Sequence, residues 1–494
     1  MAAYGASVSL KNTIQRLLQS SRISLVPPSL QILQSANESM CRLQKVMLIL
    51  DGTSCRKIRA KVNDLDERIK EVVWEFEDLL ESLFTDQILP QLERSSRGVR
   101  DGLSFSVDLQ SLRQSVDCFV ERLEVMEVEY FTELVNMPEE EGELLSSRID
   151  FGGINSNMVG LSDEFERVKD YLINDRGNRL LVNGMAGVGK TTLVKKVFDD
   201  PLIQRRFENR AWIKVGRKCE SGEILRCILA QVDPNTRDQI LTQADDNDDR
   251  ILVGLLKERL KDKKCLIVFD DVWEWDTRVM YNLPEENVRI LITNRLRIDE
   301  LNNLATKGTL RLLNIEESMK LLGERVFGEK GFPSDLEKLG EKIAYKCEGL
   351  PLMIVTVAEL LSKEDMTQPY WTEVVEKQQN SVFVEAYNQI SEVLFPNYDY
   401  LPQYFKMFFL YVGAFPPYSD IEIHNLFDRL SAEGFLEPIG EQTLEDFMVE
   451  CLVVLAHKYH LDSDYACIHV GSTCVRKKLV RSSFCMFYKV VMTL

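Results

Sequence analysis

The residues with the clearest chemical potential lie between positions 179 and 193. Leu180, Leu181 and Val182 form a short apolar run, Gly184-Met-Ala-Gly187-Val-Gly189-Lys190-Thr191-Thr192 follows it, and Leu193 opens a helical pattern. This spacing satisfies GxxxxGK[ST] between a strand and a helix, the setting of a phosphate-binding loop. Glycines let consecutive backbone N–H groups turn inward around phosphate oxygens, and the helix N-terminus adds the positive end of its dipole. Lys190 is placed to reach the β- and γ-phosphates, and the Thr191 hydroxyl to complete a Mg²⁺ shell.

Groups of matching chemistry come about 80 residues later. Cys265-Leu-Ile-Val-Phe269 is an uninterrupted apolar run ending in Asp270-Asp271. Such a run reads as a strand buried on both faces of a parallel sheet, and ligands of open α/β sheets bind at the C-terminal ends of the strands. Asp270 is suited to holding Mg²⁺ through water, and Asp271 to orienting the attacking water. A further strand over 288–292 brings Arg295 to the same sheet edge, where a guanidinium would sense the γ-phosphate. The acidic run 245–249 lacks the glycine and distant glutamate of an EF-hand and reads as a solvated loop before a helix over 251–260.

The elements that must position these groups follow from periodicity and composition. A chain of 494 residues is too long for one core and suggests about three domains. Hydrophobic residues at 45% and charged residues at 28% describe an ordinary globular protein. A net charge of −18 argues against a general nucleic-acid binder, which needs basic faces. No apolar run reaches the roughly 18 residues of a membrane-spanning helix, and the N-terminus has no secretory pattern. Eleven cysteines without regular spacing suit reduced thiols in the cytoplasm.

Residues 5–137 read as helices throughout. Leu10, Ile14, Leu17 and Leu18 form one apolar stripe; Ile58, Val62, Leu65, Ile69, Val72, Phe76, Leu79 and Leu83 a second; Leu109, Leu112, Val116, Phe119, Val120 and Leu123 a third. With breaks at Pro27-Pro28 and over 95–102, the pattern predicts a four-helix bundle over 1–137. The carboxylates Glu77, Asp78 and Glu81 lie on or beside the polar face of its long third helix, where a basic partner would suit them. A linker over 138–157 is marked by Pro138, an acidic run and Gly152-Gly153. The P-loop α/β domain with its parallel sheet is expected over 158–310.

The motifs, in their order, resemble those of plant intracellular immune receptors with a coiled-coil, a nucleotide-binding and a leucine-rich-repeat part, including late-blight-resistance-type members. FEDLLES is similar to the acidic EDVID-type motif of the coiled-coil domain. GMAGVGKTT, LIVFDDVW and ILITNR resemble its Walker A, Walker B and sensor motifs; Gly349-Leu350-Pro351-Leu352 is similar to its GLPL signature, and 401–423 with AEGF to its winged helix. The resemblance implies a helical subdomain over 311–385 and a winged-helix domain over 386–475; Arg476, Lys477, Lys478, Arg481 and Lys489, with no acid among them, mark a basic tail over 476–494. It implies that Gly184, Gly187, Gly189, Lys190, Thr191 and Thr192 hold phosphates and Mg²⁺, that Pro351 packs on adenine, and that Val159 lies near the base. His469 takes the place of the histidine that contacts the β-phosphate of ADP.

Three departures stand out. Val470 occupies the position of the aspartate that follows this histidine, no leucine-rich repeats occur before Leu494, and the N-terminus does not match the membrane-inserting motif of some members. The expectation is a truncated receptor that switches between an ADP-bound resting form and an ATP-bound oligomer, with at most slow hydrolysis. Its implied partners are nucleotide, further copies through the coiled-coil and nucleotide-binding domains, other receptors of the class, and the plasma membrane when active. A nucleotide-dead or constitutively active adaptor working through the coiled coil is the alternative, and a P-loop kinase a more distant one. Cys451, His457, His460, Cys467, His469 and Cys474 fit no common zinc spacing.

Overall fold

The computed structural model describes residues 3–49, 56–95, 104–136, 145–149, 158–174, 177–216, 220–233, 249–273, 287–295, 306–364, 366–377, 380–399, 401–413, 420–436 and 478–480, with single positions between them. Two compact units divide the chain: one holds 1–141 with 397–453 and 464–481, the other 142–396 with 454–463 and 482–494.

The first unit opens with α1 (Ala3–Gln19), β1 (Ile23–Leu25), α2 (Ser29–Ile49), α3 (Arg56–Ser95), β2 (Phe105–Val107) and α4 (Arg113–Val135). α1 packs on α2 and α3, and α4 packs on the same two helices, giving the four-helix bundle. Leu10, Ile14, Leu33, Met40, Leu43, Ile69, Val73, Leu123 and Tyr130 are its sealed core, with Phe76 stacked on Phe119 at 4.2 Å. The predicted third-helix stripe drifts where it enters this core. Leu80 is 1% exposed and Leu79 48% exposed, because 3.6 residues per turn carries the buried face on to Val73, Phe76, Leu80 and Phe84. Sequence reading also missed a short parallel ribbon, in which Ile23 pairs with Phe105 and Leu25 with Val107.

The second unit begins inside the expected linker. Leu145–Arg148 forms α5, and Arg148 is buried with its guanidinium donating to the Val215 carbonyl at 2.7 Å and facing Glu223 at 3.6 Å. Next come α6 (Ser162–Ile173), β3 (Arg179–Asn183), α7 (Lys190–Phe198), α8 (Pro201–Arg206), β4 (Asn209–Lys214), α9 (Ser221–Val232), α10 (Asp249–Leu260), β5 (Cys265–Val272), β6 (Val288–Asn294) and β7 (Thr306–Thr309). The strands form one sheet in the order β4-β5-β6-β3-β7, every neighbouring pair parallel. β3, β5 and β6 are buried almost throughout, as strands covered on both faces must be.

Helices then follow: α11 (Ile315–Phe327), α12 (Glu337–Lys346), α13 (Pro351–Leu361), α14 (Gln368–Glu376) and α15 (Ser381–Asp399). The Asn314 side chain caps α11 and Glu317 returns the bond to the Asn314 N–H, a capping box. α13 starts with proline in its first turn, where the missing N–H costs nothing. Phe332 lies against Phe327 and Trp371, and Gly323 and Gly340 leave room for its ring.

The chain returns to the first unit with α16 (Gln403–Gly413), β8 (Asp420–Glu422), α17 (Ile423–Ala432) and β9 (Lys478–Val480), β8 and β9 pairing antiparallel. Residues 478–480 of the expected tail are thus a strand. The last carbonyls of α17 and the turn after it lack partners within the helix, and α1 supplies donors for them. Arg16 donates to the Ser431 and Ala432 carbonyls at 2.6 and 3.0 Å, and Asn12 to that of Gly434 at 2.7 Å.

Candidate functional site

The phosphate loop joins β3 to α7. Gly187 (φ +80°) and Gly189 (φ +97°) hold left-handed backbone that side chains resist, and Gly189 is the N-cap from which α7 starts at Lys190. Gly187 has a further constraint. A Cβ there would lie 2.8 Å from Leu352 Cβ, and the Leu352 N–H donates to the Gly187 carbonyl at 3.2 Å. The GLPL segment therefore rests directly on the phosphate loop, next to the proline that opens α13.

Lys190 Nζ donates to the carbonyls of Gly184 and Met185 at 2.8 and 2.9 Å. Burial, then repulsion from Arg295, pushes its pKa down to about 7, against the pull of Asp271 and Asp270. Thr191 Oγ1 donates to Asp270 Oδ1 at 2.9 Å, so loop hydroxyl and strand carboxylate meet although 79 residues separate them. Thr293, at the end of β6, donates to the same carboxylate at 2.6 Å. Burial raises the Asp270 pKa and these two hydroxyl bonds pull the other way.

Asp271 sits at φ +55°, its N–H bonded to Thr293 Oγ1 at 2.9 Å. Its carboxylate is gripped by Arg295 in a fork, Nε to Oδ1 at 2.7 Å and Nη2 to Oδ2 at 3.0 Å. Burial works against this charge, but Arg295 and then Lys190 prevail and hold the Asp271 carboxyl below the ordinary range. Arg295 is further fixed by the Val393 carbonyl at 2.9 Å and by the Trp273 ring, 5.2 Å from the guanidinium carbon.

Of the sequence candidates, Thr191, Asp270, Asp271 and Arg295 are linked by these bonds through Thr293, Lys190 is bonded to Gly184 within the loop, and Leu352 ties the Pro351 segment to Gly187. Val159 adjoins Gly160, whose own packing is against Leu313 and Glu317. His469 and Val470 lie outside the described residues, as do His457, His460, Cys467 and Cys474. Thr293, Trp273, Arg311 and Glu317 were missed by sequence reading. Only the last had a visible signal, the Asn314-x-x-Glu317 capping pattern. Glu77, expected with Asp78 and Glu81 to suit a basic partner, accepts instead from the Ser9 and Thr13 hydroxyls at 3.1 and 3.5 Å.

The described cysteines are free thiols, and burial pushes Cys227 and Cys265 up to about 12, so both are inert packing groups. Among the described residues no group of three or more His, Cys, Asp or Glu could hold a metal ion. A cation here would rest on the hard oxygens of Thr191 and Asp270 together with phosphate, the few-ligand pattern that suits Mg²⁺. No helix among the described residues is long and apolar enough to cross a membrane.

A parallel sheet whose phosphate loop faces a paired aspartate motif defines a P-loop nucleotide-binding domain. Residues 161–331 match the NB-ARC domain. The disease susceptibility protein LOV1 of Arabidopsis thaliana is 26% identical over 77% of this chain and 45% of its own length. The disease resistance protein RPP13 of the same plant is 32% identical over 58% of this chain and 35% of its own. A putative late blight resistance protein homolog of Solanum demissum is 31% identical over 59% of this chain and 23% of its own. The chain thus carries an NB-ARC domain and is related to plant disease resistance proteins, and it spans less than half the length of these relatives.

Proposed function

We propose that the chain is an ADP/ATP-dependent switch of plant innate immunity, a nucleotide-gated signalling protein of defence and hypersensitive cell death. The observation that carries this reading is the Leu352 N–H on the Gly187 carbonyl. Through it, the loop that holds phosphate and the helix that starts at Pro351 share one contact, so what fills the loop bears on where that helix sits. A nucleotide shifts such an equilibrium only through unequal affinity for its two states.

Lys190 and the inward-facing N–H groups of the loop would bind the phosphates, and Pro351 and Val159 the base. Thr191 and Asp270 would hold Mg²⁺, which neutralises phosphate charge when bound. The fork between Arg295 and Asp271 favours holding over hydrolysing: the carboxylate best placed to orient water is already engaged at both oxygens by a guanidinium. Any ATP hydrolysis is accordingly slow. His469 would add a contact from the far end of the chain. Self-association through the bundle and the nucleotide-binding domain, pairing with other receptors, and plasma-membrane contact on activation belong to the same reading.

The test is the nucleotide content of purified protein. Wild type should carry ADP and Lys190→Ala should bind it at least tenfold more weakly, a loss of about 1.4 kcal/mol or more. Wild type without bound or bindable adenine nucleotide, or Lys190→Ala binding as tightly, refutes the reading.

A further inference from the structure

Residues 310–317 touch three of the segments assigned to the nucleotide: the entry to the phosphate loop, the 159–161 segment and the turn before Pro351. The Leu310 N–H donates to the Asn183 carbonyl at 2.8 Å, immediately before the phosphate loop. The Leu313 N–H donates to the Gly349 carbonyl at 2.9 Å, and Gly349 (φ +73°) lies so close that a Cβ would be 2.2 Å from the Leu313 oxygen. Pro351 begins two residues later. On its other side Leu313 meets Gly160 (φ +77°), where a Cβ would be 2.9 Å from Leu313 Cδ2 and 3.1 Å from Glu317 Cβ. Val159 is the preceding residue.

Glu317 closes this arrangement. Its Oε1 accepts the Leu161 N–H at 3.0 Å and its Oε2 the Asn314 N–H at 3.0 Å. Arg311 forks onto the same carboxylate at 2.7 and 3.0 Å and reaches Asp163 in the first turn of α6 at 3.3 Å. Four donors thus fill the acceptor sites of one carboxylate. Leu161 is held in left-handed backbone at φ +53°, a shape unfavourable for leucine that needs such an external tie.

We propose that Glu317, braced by Arg311, is a positioning residue for the base half of the nucleotide site: it holds the 159–161 segment against the 311–317 frame that also carries the Pro351 segment. This rests on the adenine-nucleotide reading above. The phosphate half, built on Lys190, Thr191 and Asp270, is held by other contacts. Loss of Glu317 should therefore weaken recognition of the nucleoside and leave polyphosphate binding alone.

The experiment uses the full chain with Glu317→Gln, which keeps the shape but presents an amide donor to a ring of donors. ADP and tripolyphosphate, which has no base, are each titrated against a fluorescent ADP analogue. ADP affinity should fall about 10- to 100-fold, the scale of a lost charge-assisted network, while tripolyphosphate affinity stays within about twofold. Arg311→Gln, at a half-exposed position, removes two of the four bonds and should show the same separation at smaller size. It decides the matter if Glu317→Gln does not fold. Parallel loss of both ligands, or unchanged ADP affinity, overturns the positioning role. Failure of wild type to bind ADP overturns the nucleotide reading and this inference with it, and wild-type binding separates the two cases.

Discussion

Replacing Gly187 with alanine tests the contact between phosphate loop and α13 by magnitude. Alanine at φ +80° carries a strain of about 1–2 kcal/mol. Its Cβ would also stand 2.8 Å from Leu352 Cβ and 3.0 Å from Leu352 Cδ2, an overpacking of about 1–3 kcal/mol. The total is about 2–5 kcal/mol. Gly189 is the internal control, since it has φ +97° but no atom within 4 Å of its Cβ position, so Gly189→Ala should show the strain of about 1–2 kcal/mol alone. The quantity measured for each variant is the denaturant unfolding free energy of the nucleotide-free protein. The losses should differ between the variants by about 1–3 kcal/mol. Leu352→Gly removes both offending atoms. In a double-mutant cycle with Gly187→Ala it should return that difference as a favourable coupling. Equal losses in the two glycine variants, or a coupling below about 0.5 kcal/mol, would refute the claim that Leu352 seats the loop.

Three further outcomes depend on packing and burial. Helix propensity alone would make Gly340→Ala stabilising by about 1 kcal/mol, but its Cβ would fall 2.3 Å from Phe332 Cε1, so unfolding by denaturant should show a net loss of about 1–2 kcal/mol. Gly254→Ala, in α10 with open space around it, should gain about 0.5–1 kcal/mol in the same assay. Glu77 is raised above 4.5, chiefly by burial and also by Glu81, against its bond from Ser9. A raised folded pKa contributes stability that is fully present below the unfolded pKa and lost as pH rises through the folded one. Glu77→Gln should therefore flatten the pH dependence of the unfolding midpoint on the high side of pH 4.5, and an unchanged profile would show that this carboxyl is not raised by folding.

Much of the site was legible because its signals are local. The phosphate loop needs glycines at fixed offsets between a strand and a helix, and β5 and β6 announce themselves as apolar runs. Even the bundle stripes were readable, up to the point where Leu79 and Leu80 competed for one core position. The order of the strands was not legible, and neither were the partners of Asp270. Thr293 lies 23 residues from it, and nothing near either residue encodes the pairing. Arg148 read as linker because its partners, the Val215 carbonyl and Glu223, are contributed by other elements.

The sequence by itself determined which groups exist and which backbone shapes the chain can take: Gly187 and Gly189 for left-handed turns, Lys190 and Thr191 at a helix start, two aspartates at a strand end. Those are consequences of steric and hydrogen-bonding preferences over a few residues. Only the tertiary structure decided that Thr191 meets Asp270, that Arg295 closes on Asp271, that Leu352 rests on Gly187, and that Glu317 ties down Leu161. Each of these depends on how β5, β6 and α11 stack around β3. That stacking is set by apolar burial summed over the whole unit, which no short stretch of sequence contains.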